Sequence, residues 1–134
     1  MDIEGLAKER LRKAYNCLQL AKNTAEEGIF LNDAANRVYY AIFHAMRAVL
    51  ALDLFDSKKH SGIIARFNQS YIKTGIFDKK FSDVIQDLSE TRNASDYEDF
   101  YEVQQHELTE HLANATEFLS VVTEFLEQNF ATAN

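Results

Sequence analysis

The chain has 134 residues, 46% of them hydrophobic, with no Pro and four Gly, which is enough for one core, a single domain over 1–134, and leaves no room for a second. A lone cysteine, Cys17, excludes an internal disulfide, and the longest apolar run, Val38 to Phe43, is far below the ~20 residues that span a bilayer. The net charge of −7 is unevenly placed: all 14 Lys and Arg lie at or before Arg92 and nine acidic residues follow it, which argues against a large nucleic-acid footprint but leaves room for a local basic pocket.

Charged residues from Lys8 to Lys13 replace the apolar stretch that an export signal would need, so a soluble cytoplasmic protein without membrane contact is expected. The spacing of Leu11, Ala14, Leu18, Ala21 and Ala25 predicts a first helix over 3–27, stopped by Gly28. A second helix follows, capped by Asn32 or Asp33 and running to about Leu52. It carries two apolar stripes, one through Ala35, Val38, Ile42, Ala45 and Val49 and one through Tyr39, Phe43, Met46 and Leu50. A face that wide belongs at the centre of a bundle.

Residues 56–62 read as a loop into a short third helix over 63–72, ending near Gly75. The fourth helix starts after Asp78, with Phe81, Val84, Ile85 and Leu88 in register up to Arg92. Its pattern dissolves through residues 93–97. In the fifth, over 104–130, Leu108, Leu112, Ala115, Leu119, Val122 and Leu126 repeat at four, three, four, three and four, the regularity of a bundle or dimer seam. The fold class is therefore all-α, an antiparallel up-and-down bundle of four long helices plus one short one.

Two polar constellations interrupt the apolar faces. Arg37, Tyr40, His44 and Arg47 form a ridge on the second helix, which either faces solvent or lines a cleft where its donors are used. Arg92 lies beside the core stripe of the fourth helix. It either snorkels and pairs with Asp96 at i+4 or grips an anion. Metal ligation is not indicated: the Glu-x-x-His pattern is absent before all four histidines, and His106 and His111, with Glu110 and Glu107 at i±4, read as solvated pairs. No cofactor motif is present, neither a Gly-rich phosphate loop nor a Gly-x-Ser-x-Gly.

Three segments in order, Asn36-Arg37-Val38-Tyr39-Tyr40-Ala41-Ile42-Phe43-His44, Lys59-His60-Ser61-Gly62 and Arg92-Asn93-Ala94-Ser95-Asp96-Tyr97, together resemble the HEPN superfamily, the likeness covering about Leu6 to Leu126. The resemblance implies a homodimer, a nucleotide or RNA as ligand, and in some members a minimal nucleotidyltransferase as partner. It also implies an Arg-x4-6-His ribonuclease motif that needs no metal. Arg92 and Asn93 match the start of that motif, but Tyr97 stands where the histidine belongs. Arginine can carry the phosphorane charge, whereas a tyrosine with pKa ~10 is a poor base beside a histidine at ~6.5. Partner enzymes of the family add AMP to a tyrosine two residues past the histidine; here that position is Asp99, with Tyr97 and Tyr101 out of register. Two functions stay open: an interaction or nucleotide/RNA-binding module, and a ribonuclease toxin of a toxin–antitoxin pair in which Arg92, Tyr97 and His44 or His60 replace the missing group.

Overall fold

The computed structural model describes residues 2–132. Its helices are α1 (Ile3–Glu27), α2 (Leu31–Leu50, continued by a 3-10 turn Ala51–Asp53), α3 (His60–Phe67, widening into a π turn Asn68–Ile72), α4 (Lys80–Tyr97) and α5 (Gln105–Thr132). Among the described residues there is no strand, and the architecture is the expected all-α bundle of four long helices and a short one.

α1 opens on Asp2, whose carboxylate accepts from the Gly5 N–H, and closes on Gly28 in the left-handed region, φ 73°, where a Cβ would be strained. Its buried face is almost all alanine, Ala7, Ala14, Ala21 and Ala25 around Leu18, and α2 answers with Ala34, Ala35, Ala41, Ala45 and Ala48. Small side chains on both sides let these two helices approach closely. α2 also packs against α3, α4 and α5, and twelve of its residues are buried, so the two-stripe helix is the centre of the bundle.

Asn32 and Asp33 do not cap α2. The cap position is Phe30, itself left-handed at φ 55°, and both polar residues fall inside the first turn. Asn32 instead bridges two segments. Its amide donates to the Tyr101 carbonyl at 2.9 Å and accepts from the Val103 N–H at 2.8 Å, clasping the α4–α5 connection to the start of α2.

The fifth-helix seam is used inside the chain. Leu108, Ala115, Leu119, Val122 and Leu126 are all buried, and α5 lies against α1, α2 and α4, so the regular spacing reports bundle packing rather than a dimer contact. Within the same core a group of stacked, tilted and edge-on rings, Phe67, Tyr71, Phe77, Phe81, Phe118 and Phe125, joins α3 to the start of α4 and to α5. The Tyr71 hydroxyl donates to Asp53 Oδ2 at 2.9 Å, and burial holds that phenol protonated well above its ordinary range.

Two boundaries differ from the apolar pattern, and both bear on the site. α3 begins at His60, a turn before Ile63, because residues 60–62 carry no apolar signal yet already wind into the helix. A Cβ at Gly62 would lie 2.6 Å from Ser57 Oγ, so the serine hydroxyl fits closely against this turn. α4 does not fray after Arg92 but continues to Tyr97, since its last turn packs through polar groups. No helix among the described residues is long and apolar enough to cross a membrane.

Candidate functional site

The packing of α4 on α2 brings Arg92 to the polar ridge. Its Nη2 donates to the Tyr40 hydroxyl at 3.4 Å, and its guanidinium carbon stands 5.1 Å from the ring centre of Tyr39 and 5.7 Å from that of Tyr40. A cation over two electron-rich rings is a favourable placement. Asp96, one turn on, brings Oδ2 within 3.3 Å of Nε, with side chains 21% and 33% exposed for Arg92 and Asp96. That contact is an ion pair without hydrogen-bond alignment, so the buried Nε still has no hydrogen-bond acceptor.

α3 contributes the next group. His60 Nδ1 lies 3.1 Å from the Tyr39 hydroxyl, and the imidazole is ringed by Phe43, Tyr39 and Tyr40 at centroid distances of 4.2, 5.8 and 5.8 Å. Burial, and then the charge of Arg92, push His60 below the ordinary histidine range. His44, one turn along α2 from Tyr40, is pushed down by burial first and then by Arg47, Lys13, His60 and Arg10. Both imidazoles are therefore neutral at pH 7, and both are able to accept a proton.

Six buried side-chain polar atoms among the described residues lack a hydrogen-bond partner. Two of them, Arg92 Nε and Ser95 Oγ, are on α4, and two, Asn36 Oδ1 and His44 Nδ1, lie one turn to either side of Tyr40 on α2. A buried polar atom without a partner costs stability, and Arg92 Nε and Ser95 Oγ are therefore donors still open to an acceptor.

The ridge read from the sequence does not act as one unit. Tyr40 joins Arg92, and His44 shares the ring cluster at 6.2 Å from Tyr40. Arg47 turns away to a structural clasp: its Nε and Nη2 hold both oxygens of Asp56 at 3.2 and 2.8 Å, while Arg10 donates to the Arg47 carbonyl at 2.9 Å and to Asp56 at 3.3 Å. The Arg47 hydrogen bond holds the Asp56 carboxyl below its usual range. Arg37 is exposed at the opposite end and shares a contact with the Cys17 thiol, which burial pushes up. Asn93 is exposed, and Tyr97 is 77% exposed, beyond the Arg92 cluster.

Asn36 and Ser95 were not singled out by sequence spacing, Tyr39 was read only as part of an apolar stripe, and His60 stood only as a substitute base. The available signal was their place in the three ordered segments. The expectation of solvated histidine pairs on α5 holds for His106 but not for His111, which is half-buried and hydrogen-bonded to Thr91 of α4 at 3.2 Å. Beside it, a cavity of about 520 Å³ between α4 and α5 is walled by Asp87, Glu90, Glu98, Glu107 and Glu110. Carboxylates repel phosphate, so that cavity is unsuited to a nucleotide, and the anion-compatible groups lie on the α2 side of α4. No group of three or more His, Cys, Asp or Glu among the described residues is placed to hold a metal ion.

The model of the HEPN domain family matches residues 7–126. A UPF0332 protein of Thermotoga maritima is 31% identical over 116 residues, 87% of this chain and 87% of that protein. A Methanocaldococcus jannaschii protein provisionally named a toxin is 28% identical over 116 residues, 87% of this chain and 78% of that protein. A UPF0332 protein of Archaeoglobus fulgidus is 30% identical over 120 residues, 90% and 94% of the two chains.

Proposed function

The chain belongs to the HEPN-domain family, and from that membership we propose a HEPN-type module that acts as a homodimer, holds the phosphate of a nucleotide or RNA at Arg92, and docks a minimal nucleotidyltransferase-type partner. The observation that carries the ligand reading is the Arg92 guanidinium set over the rings of Tyr39 and Tyr40, with its buried Nε lacking a hydrogen-bond acceptor and Ser95 Oγ, three residues on, also unpartnered. Phosphate oxygens accept from guanidinium N–H groups in the planar geometry that arginine offers, and Tyr40, whose oxygen accepts from Arg92, keeps its own proton for the same ligand. The purely acidic stretch after Arg92 disfavours a wide phosphate-binding surface.

Binding without rapid cleavage follows from Tyr97. It holds the position of the motif histidine, is exposed, and is a phenol, a group that donates a proton readily and accepts one poorly at neutral pH. A second reading, a metal-independent ribonuclease toxin, is favoured by the neutral imidazole of His60 beside Arg92 and by the toxin name of the M. jannaschii relative.

The deciding experiment measures anisotropy of a labelled RNA oligonucleotide and its integrity together. The binding reading expects salt-dependent binding that Arg92→Ala removes, with the RNA intact. Rapid cleavage by the wild type, abolished in Arg92→Ala, replaces it with the nuclease reading. Copurification from the native operon tests the partner, and a nucleotidyltransferase recovered in stoichiometric amount is the expected result.

A further inference from the structure

His60 is the one group of the cluster that comes from neither α2 nor α4, and three contacts fix it. Its Nδ1 is tied to Tyr39, whose ring is wholly buried, while Phe43 lies tilted against it at 4.2 Å and Tyr40 meets it edge-on at 5.8 Å. The hydrogen bond leaves Nε2 as the nitrogen available to a ligand. His60 and Arg92 border the same pair of rings: both lie within 6 Å of the centres of Tyr39 and Tyr40. His60 is also the first residue of α3, where the positive end of the helix adds to an anion-favouring field.

The groups facing this imidazole are Tyr39, Tyr40 and His44 from α2 and Arg92 from α4, with Lys58 and Lys59 exposed on its own segment and Asp96 paired behind Arg92. Among the described residues no carboxylate acts on it, and its neighbours are neutral or cationic. A second positive charge is disfavoured there until an anion arrives. We propose that Arg92 and His60 together hold a terminal phosphate, a phosphomonoester, and that His60 takes up a proton as this group binds.

The choice of a monoester follows from charge balance and rests on the Arg92 reading above. Arg92 already faces one carboxylate charge in Asp96, so a phosphodiester, which carries one charge, only replaces what it displaces. A phosphomonoester carries about −1.5 to −2 at neutral pH, and the surplus is what a protonated His60 neutralises. In the complex the imidazolium donates from Nδ1 to the Tyr39 oxygen and from Nε2 to a phosphate oxygen, so Tyr39 sets the ring's orientation as a positioning residue. Asp96 competes with the ligand for Arg92.

The test uses adenosine 5′-monophosphate and 3′,5′-cyclic AMP, which differ in monoester against diester on the same nucleoside. Proton NMR follows the His60 imidazole through pH, assigned with His60→Gln, and calorimetry gives affinities for wild type, His60→Gln, Arg92→Ala and Asp96→Asn. The expected results are a His60 midpoint raised by about one pH unit or more in the monophosphate complex, equivalent to about tenfold tighter binding to the protonated form. The monophosphate should bind about tenfold tighter than the cyclic diester, and His60→Gln should erase that preference. Asp96→Asn should tighten binding about two- to fivefold, the ordinary worth of an exposed ion pair.

An unmoved His60 midpoint, or equal affinity for the two nucleotides, with binding still abolished by Arg92→Ala, overturns this inference while the Arg92 reading stands. If neither nucleotide binds at millimolar concentration but an RNA oligonucleotide lacking terminal phosphates does, and Arg92→Ala removes that binding, the outcome is the same. If nothing binds, both fall. The comparison of the two nucleotides on the wild type by calorimetry needs no variant to fold.

Discussion

Replacing Asn32 with alanine removes a clasp, and the structure sets how much that costs. The side chain makes two hydrogen bonds, 2.9 Å to the Tyr101 carbonyl and 2.8 Å from the Val103 N–H, in a half-buried position beside the buried Val103 side chain. Truncation leaves one backbone donor and one acceptor without partners. At about 1–1.5 kcal/mol each, the loss is about 2–3 kcal/mol. For a chain of this size that is a Tm lower by about 10 °C. An N-cap, the role the sequence assigned to Asn32, would be worth about 1 kcal/mol and would leave the Val103 amide untouched. The assay pairs thermal unfolding with hydrogen exchange at the Val103 amide, with exposed Asp33→Ala as control. A loss below about 1 kcal/mol with unchanged protection of Val103 refutes the clasp and restores the capping role.

Stability should fall as pH drops from 7.5 to 5.5. Burial lowers the folded-state pKa of His44, His60 and His111, so the unfolded chain binds more protons below about 6.5 and is favoured there. Urea midpoints at the two pH values measure the loss, and His111→Gln should flatten the dependence. Tyr97→His restores a base in the motif position, and slow RNA cleavage that the wild type lacks is expected on a gel time course; no gain would show that exposed position 97 cannot reach the ligand. The protein should scatter light as a dimer at micromolar concentration, with Phe30 64% and Phe100 99% exposed as apolar surface still to be covered, and a single-chain mass throughout that range refutes the dimer.

The helices were legible because their signals are local. Gly28 closes α1 as its φ requires, and the four-three spacing on α5 runs through residues that are buried, apart from the partly buried Leu112. The misread boundaries share a cause: periodicity reports apolar burial, and the first turn of α3 and the last turn of α4 pack through His60, Arg92, Ser95 and Asp96. The same limit hid the clasp, since nothing in the residues around Asn32 points to a carbonyl 69 positions away.

The sequence by itself determined an all-α bundle with a central second helix, the acidic C-terminal third, and a ridge and an arginine as the places where polar chemistry interrupts the core. Only the tertiary structure decided which of those polar groups meet. The ridge from Arg37 to Arg47 spans about 15 Å of helix, so its ends meet different neighbours. Arg47 meets Asp56 and Arg10 and becomes structural, while Tyr40 meets Arg92 from α4, and His60, 21 residues from Tyr39, arrives from α3. Spacing along one helix fixes which side chains share a face; the partners across that face come from elements joined by long stretches of chain, and only packing brings them within a few ångströms.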